Sequence, residues 1–199
     1  MKKILWSVLT AGVFLGSGVY AADDDYTFDI DSLIGFEGGY TTFDVEKSGD
    51  LSGNGIKKYD VGEAGLKIGA QSHNYRIFLS IRSYFPSGYD YFMTYGGEFQ
   101  YLFNFSKTAN FFIGVNGGYL DGRFTPSDET NSRTLADPYF GGDAGFNFHF
   151  GKRYDLEVGA RVMTSSAENT QVINGREVTY TFDNLVTGYA SLIIKFKMD

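Results

Sequence analysis

The sequence of 199 residues contains no cysteine and only 3 prolines. Without cysteine the chain forms no disulfide, carries no thiolate nucleophile and has no cysteine-ligated zinc site. Positive charge is also scarce: the formal net charge is -7 and lysine and arginine form no cluster, which argues against nucleic acid as a partner. Glycine (26 residues) and aromatic side chains (18%) are abundant instead, and so apolar a composition excludes intrinsic disorder. A chain of this kind without thiols suits an oxidising compartment.

The first residues predict export from the cytoplasm. Lys2 and Lys3 precede an apolar stretch from Ile4 to Leu15, and small residues ending in Val19-Tyr20-Ala21 follow it. This is the order of a secretory signal peptide. The apolar stretch would span about 18 Å as a helix, short of a hydrocarbon core of about 30 Å, which argues against a membrane anchor. We therefore predict a signal peptide over 1–21 and one mature domain over 22–199.

Long apolar runs are also missing from the mature domain, which has no stretch of 18 apolar residues and therefore no transmembrane helix pattern. Apolar residues instead recur at every second position, the period of a β-strand. Between residues 33 and 44, for example, Ile34, Phe36 and Tyr40 share one face. This alternation predicts eight strands, at about 33–44, 59–70, 75–84, 91–103, 110–121, 138–150, 154–165 and 183–197.

Charged residues within these strands lie on the face opposite the apolar one. Five are acidic and five basic: Glu37, Glu63, Lys67, Arg76, Arg82, Glu98, Asp143, Glu157, Arg161 and Lys195. A soluble sandwich would show the same alternation with its apolar face inward, so periodicity alone leaves open which face is outside.

Three features favour a transmembrane barrel with the apolar face outward. The connections at 45–58, 85–90, 122–137 and 166–182 fit the longer extracellular loops of such barrels, and those at 71–74, 104–109 and 151–153 fit the shorter periplasmic turns. Aromatic residues of the apolar face gather near the strand ends, as in the two interfacial girdles of these proteins. The charges on the other face balance in number.

Charge balance matters because the interior of an eight-stranded barrel is only wide enough for side chains. An unpaired buried charge costs several kcal/mol, so we expect the ten charged residues to form an ion-pair network that plugs the barrel. Closure places the first strand beside the last, which is expected to bring Glu37 within reach of Lys195.

The last predicted strand, from Tyr189 to Phe196, carries the most specific motif: Leu192, Ile194 and Phe196 alternate along it, after the small residue Ser191. With this strand and the alternation before it, the mature chain resembles the small eight-stranded outer-membrane barrels of the OmpA/OmpX type. The resemblance implies an all-β, antiparallel, up-and-down transmembrane β-barrel in the outer membrane of a Gram-negative bacterium. It also implies that Leu192, Ile194 and Phe196 form the signal read by the barrel assembly machinery, that periplasmic chaperones deliver the chain, and that outer-membrane lipid and lipopolysaccharide surround it.

The residues able to carry chemistry form no recognisable catalytic motif. Both histidines, His73 and His149, fall at the turn ends of the predicted strands. Lipid A deacylases and palmitoyltransferases of similar size use His and Ser near the outer leaflet, and the residues after His149 do not match the deacylase pattern. Glu37, Glu98 and Glu157 are of a type used in general acid–base catalysis, but facing cations favour structural ion pairs. We therefore predict no catalytic residues and no enzyme.

No metal or cofactor is expected either. The run from Asp50 to Gly55 begins like a calcium-binding loop, but its twelfth position is Val61, which cannot supply the bidentate carboxylate. No phosphate-binding loop or zinc-protease motif occurs.

The leading hypothesis is a non-enzymatic outer-membrane barrel that acts in envelope structure, or in adhesion to a host or surface ligand, through its extracellular loops. Three alternatives stay open. They are a narrow, porin-like pore, a lipid A-modifying enzyme, and a soluble periplasmic binding barrel of lipocalin-like shape, in which the apolar face would point inward.

Overall fold

The computed structural model describes residues 30–49, 55–124, 132–166, 168–173, 176–182 and 184–197. The predicted signal peptide and its cleavage site lie outside these residues. In the described part of the chain no helix has the length and apolar character needed to cross a membrane. The regular structure there consists of ten strands: β1 (Asp31–Gly49), β2 (Gly55–Gln71), β3 (Tyr75–Tyr84), β4 (Tyr89–Phe103), β5 (Ala109–Phe124), β6 (Arg133–Phe150), β7 (Tyr154–Ser165), β8 (Glu168–Ile173), β9 (Arg176–Phe182) and β10 (Leu185–Phe196).

Eight of these strands, β1 to β7 and β10, form a closed antiparallel barrel. Each pairs with its neighbour, and β1 pairs with β10 to close the sheet, with Glu37 opposite Ser191. The predicted all-β, eight-stranded up-and-down barrel is therefore confirmed. Closure removes the free edges that an open sheet of this size would expose.

The apolar face of the barrel points outward. Leu79 is 66% exposed and Val115 is 62% exposed, whereas Arg76 and Arg161 are fully buried. The soluble, lipocalin-like alternative required the reverse arrangement and is wrong. A barrel whose outer wall is a continuous band of Ile, Leu, Val and aromatic side chains needs an apolar surrounding.

The strands extend further at the loop end than the sequence analysis predicted. Segments 45–58 and 122–137 were expected to be loops, but β1 continues to Gly49, β2 begins at Gly55 and β6 begins at Arg133. Segment 166–182 contains the hairpin β8–β9, whose second strand pairs with the end of β1 from Val45–Phe182 to Gly49–Val178.

The strand ends were missed because the apolar phase reverses within a strand. In β1, Phe36 and Tyr40 point outward, but beyond Thr42 the apolar residues Phe43 and Val45 point inward and are buried. A search for one continuous period-two pattern therefore places the end of the strand too early. The shorter turn-end connections agree with expectation, and Gly151 adopts a φ of 70° in the turn between β6 and β7.

Candidate functional site

The lumen of the barrel holds a buried ion cluster centred on Glu37. Its carboxylate accepts hydrogen bonds from Lys67 Nζ at 3.1 Å, Arg82 Nε at 2.7 Å and both terminal nitrogens of Arg161 at 2.9 and 3.0 Å. Ser191 Oγ donates at 3.1 Å. These five residues come from β1, β2, β3, β7 and β10, and every one of them is buried. One carboxylate therefore links residues from five strands.

A second carboxylate, Glu157, extends the cluster toward the turn end. Lys67 Nζ lies 2.7 Å from its Oε1, so this lysine bridges Glu157 and Glu37. Arg76 donates to Glu157 Oε2 at 2.8 Å and to Asn147 Oδ1 at 3.0 Å. Both bonds come from Nη1 of Arg76, so one charged nitrogen holds the carboxylate and the amide oxygen together.

Asp155 forms a third node that the sequence analysis missed. It accepts from Arg76 Nη2 at 3.2 Å and Lys195 Nζ at 2.8 Å, and its Oδ1 lies 2.8 Å from His149 Nδ1. Lys195 thus binds Asp155, and the expected contact with Glu37 is wrong: Lys195 lies beside Leu33 in the β1–β10 register. The alternation could have revealed Asp155, because it stands between two outward residues of β7.

The remaining predicted carboxylates lie on the same inner wall. Glu98 accepts from Arg82, and Glu63 accepts from Thr41 at 2.9 Å with Arg161 Nη1 at 3.6 Å. Asp143 differs. In the described part of the chain its donors are two amides, Gln100 at 2.8 Å and Asn116 at 3.4 Å, rather than the cation that we expected.

Aromatic faces complete the surroundings of the cations. Lys67 Nζ lies 4.9 Å from the centroid of the Phe78 ring, and Arg161 Cζ lies 4.3 Å from that of Tyr189. Such cation–π contacts strengthen when the cation is removed from water.

Beyond the ion cluster, at the loop end, the lumen is apolar. Thirteen buried side chains from all eight barrel strands and β9 form one cluster, which we call the loop-end cluster: Phe43, Val45, Val61, Tyr84, Phe92, Leu120, Leu135, Tyr139, Met163, Val178, Tyr180, Phe182 and Leu185. Phe43 lies at its centre, with the ring centroids of Phe92 and Phe182 at 5.4 and 6.3 Å. The hairpin β8–β9 contributes Val178, Tyr180 and Phe182, so it covers the cluster as well as extending β1. The sequence analysis did not anticipate this region.

The side chain of His149 and the backbone of His73 form structural contacts. His149 lies between Asp155 and Asn110, whose Nδ2 is 3.3 Å from His149 Nε2. The backbone carbonyl of His73 accepts from Asn104 at the exposed turn. Among the described residues no three His, Cys, Asp or Glu side chains converge to hold a metal ion. Residues 50–54 of the calcium-loop motif lie outside the described residues.

Comparison with known proteins identifies structural neighbours only. No family model and no curated protein sequence matches the chain. Neisserial surface protein A has a similar structure (TM-score 0.56, 13% identity, 81% of this chain and 97% of that chain), and so does the outer membrane protein OprG from Pseudomonas aeruginosa (TM-score 0.56, 14% identity, 84% and 97%). The N-terminal barrel domain of Pseudomonas aeruginosa OprF is also similar (TM-score 0.51, 11% identity, 82% and 97%). At these identities the likeness shows the fold, which is that of the small outer-membrane β-barrels.

Proposed function

We propose that this protein is an integral outer-membrane barrel of a Gram-negative bacterium, and that it acts through the strands projecting at its loop end rather than as a pore or an enzyme. One observation carries the proposal. Side chains occupy the lumen along its length, as an ion cluster and then the loop-end cluster, while the outer wall is apolar. An apolar outer wall fits a lipid surrounding. A lumen filled by side chains leaves the exposed surface as the part of the protein that can act.

The outer wall supports contact with outer-membrane lipid and lipopolysaccharide. Aromatic rings pack against one another at two levels. The ring centroids of Tyr75 and Tyr101 lie 5.3 Å apart at the turn end, and those of Tyr95 and Tyr119 lie 6.1 Å apart toward the loop end. Aromatic side chains favour the headgroup level, so the two levels fit the two faces of a bilayer. Export by a signal peptide, delivery by periplasmic chaperones and recognition of Leu192, Ile194 and Phe196 by the assembly machinery belong to the same proposal.

The projecting strands support a role in adhesion or envelope contact. The ends of β1 and β2 pair with each other beyond the level of β3, and β9 and β8 continue this sheet on the other side of β1. Its outward side chains are mostly polar, among them Glu46, Lys58 and Asp60, and Ile56 is an exposed apolar residue on the same face. The inward apolar side chains of this sheet pack in the loop-end cluster and fix its position. The sheet therefore presents a rigid outer surface to a ligand.

A narrow pore is the second candidate. Several buried polar atoms, including Glu98 Oε2, Gln100 Oε1 and Arg82 Nη1, have no hydrogen-bond partner among the described residues, and internal water would satisfy them. Water at these atoms does not make a conducting path, because the loop-end cluster closes the lumen above them. A lipid A-modifying enzyme gains no support, since His149 is turned toward Asp155 and Asn110 at the turn end.

The test combines membrane fractionation with three readouts on the full-length protein. We expect it in the outer-membrane fraction, with gel mobility in SDS that changes only on boiling, because a closed barrel resists the detergent. Planar bilayers should show no steady conductance, and lipid A should keep its mass when the protein is overproduced. A cytosolic protein that retains Met1 would refute the membrane proposal, steady conductance would establish the pore, and altered lipid A would establish the enzyme.

A further inference from the structure

Three exposed cations stand at the turn end of the barrel. Lys107 lies in the β4–β5 turn, and Lys152 and Arg153 lie in the β6–β7 turn. All three side chains are exposed, and none forms an ion pair with a described carboxylate. The nearby carboxylate Asp155 is fully buried and bound by Arg76 and Lys195, so it does not neutralise them.

These two turns are neighbours at the rim. The backbone N–H of His149, at the end of β6, donates to the carbonyl of Thr108 at 2.8 Å, which ties the β4–β5 turn to the start of the β6–β7 turn. The N–H of Lys195 donates to the carbonyl of Arg153 at 2.7 Å and ties that turn to β10. We call Lys107, Lys152 and Arg153 the basic arc.

Exposed aromatic side chains neighbour each cation in the sequence. Phe105 precedes Lys107 by two residues, and Phe150 and Tyr154 flank the pair Lys152 and Arg153. These three rings are between 47% and 64% exposed. An aromatic ring prefers the level of the lipid headgroups, so in a bilayer the ammonium and guanidinium groups of the arc lie at the level of the phosphates.

The charge at the other end of the barrel differs. Among the side chains that the structure describes there, the exposed charged ones are mostly acidic, namely Glu46, Asp60, Asp90 and Glu168 against Lys58 and Arg123. Arg123 Nε also lies 3.5 Å from Asp90 Oδ2. An anionic headgroup would therefore be repelled at the loop end and attracted at the turn end.

We propose that the basic arc binds the phosphate groups of anionic glycerophospholipids in the leaflet facing the periplasm. The inference rests on the proposed function, since it needs the barrel in a membrane. The rings anchor the height of the turns, and the three cations supply the charge. Each lysine or arginine near an anionic lipid surface strengthens binding by about fivefold.

The test is a titration of phosphatidylglycerol into the detergent-folded, full-length barrel, with bound lipid counted by native mass spectrometry. Phosphatidylcholine with the same acyl chains is the neutral reference. The test variant is Lys152→Gln with Arg153→Gln, and the matched control is Lys58→Gln with Arg123→Gln, which removes the same charge at the loop end. A second variant, Lys152→Arg with Arg153→Lys, keeps the charge and controls for damage to the turn.

We expect the wild type, the control and the charge-conserving variant to prefer phosphatidylglycerol, and the test variant to lose about fivefold in affinity for each cation removed. The inference would be overturned if the wild type bound both lipids with equal affinity. It would also be overturned if the test variant and the control lost equal affinity for phosphatidylglycerol. Equally strong, arc-dependent binding of lipid A would also overturn it, because the arc would then read any phosphate. Heat-modified gel mobility of the same samples reports folding, so a failed barrel and a failed lipid site are distinguishable.

Discussion

The two parts of the lumen are filled by opposite chemistry within the same eight strands. Toward the turn end, Glu37 and Glu157 bind lysine and arginine side chains from facing strands. Toward the loop end, Phe43, Phe92 and their neighbours pack as one cluster of hydrophobic side chains. The outer wall changes in the opposite sense: it is apolar around the ion cluster and mostly polar around the projecting strands.

The proposed membrane position gives one physical reason for both changes. Where lipid surrounds the barrel, the outer wall must be apolar, and a narrow interior can then hold charge only if each charge is paired. Where water surrounds it, the apolar residues move inside and form an ordinary core. Under this proposal, the level at which the apolar phase reverses, near Thr42 in β1, marks the outer boundary of the bilayer.

The largest expected effect comes from breaking the ion cluster. Arg82→Ala removes the partner of Glu98 and one of the partners of Glu37, and should lower the free energy of unfolding by about 3 to 5 kcal/mol, because a buried charge is stranded. Reversible urea unfolding in lipid vesicles measures this. Adding Glu98→Gln should cost much less than the sum of the single changes. Additive losses together with steady conductance would show a water-filled lumen.

Shortening a side chain in the loop-end cluster should lower the free energy of unfolding of the barrel through lost packing alone. Leu120→Ala removes a fully buried side chain, and we expect a loss of about 2 to 5 kcal/mol from lost burial and the remaining cavity. Val115→Ala on the same strand is the matched control, since Val115 points outward and lipid can fill the space. Equal losses at the two positions, measured in the same unfolding assay, would argue against a closed apolar core.

A charge on the outer wall tests where the bilayer lies. Val158→Arg, at the estimated midplane, should cost about 2 to 4 kcal/mol, whereas Tyr154→Arg, at the turn end of the same strand, should cost about 0 to 1 kcal/mol. The unfolding free energies in vesicles give both values. Similar costs at the two depths would contradict a lipid-facing wall.

The smallest expected effect concerns the space that glycine leaves for the ion cluster. A Cβ on Gly35 would lie 2.7 Å from Cγ of Lys67, so Gly35→Ala must displace the lysine that bridges Glu37 and Glu157. Overpacking of this kind costs about 1 to 3 kcal/mol. Gly188→Ala is the control, because a Cβ on that outward glycine meets no atom within 4 Å. A loss at Gly188 as large as that at Gly35 would point to a general effect on the strand backbone.

Much of the barrel was predictable because the strand segments around the ion cluster all follow one rule: apolar side chains point outward and polar or charged side chains point inward. The alternation around Phe36, Leu79 and Val158 follows from a wall with one apolar side, and it gives the strands, their order and the side on which Glu37 or Arg161 lies. The loop-end cluster was not predictable in this way. Phe43 and Val45 follow the same period in the opposite phase, so a search for one continuous pattern stops before them.

The sequence by itself determined that the chain forms strands, that they number eight in the barrel wall and that charge and apolar side chains separate onto two faces. These properties depend on neighbours two residues apart. The tertiary structure alone decided which charges meet, because Lys195 binds Asp155 rather than Glu37 and Asp143 binds amides rather than a cation. Partners across the lumen are set by the stagger of the closed sheet and the reach of each side chain, and neither is encoded in the pattern of a single strand.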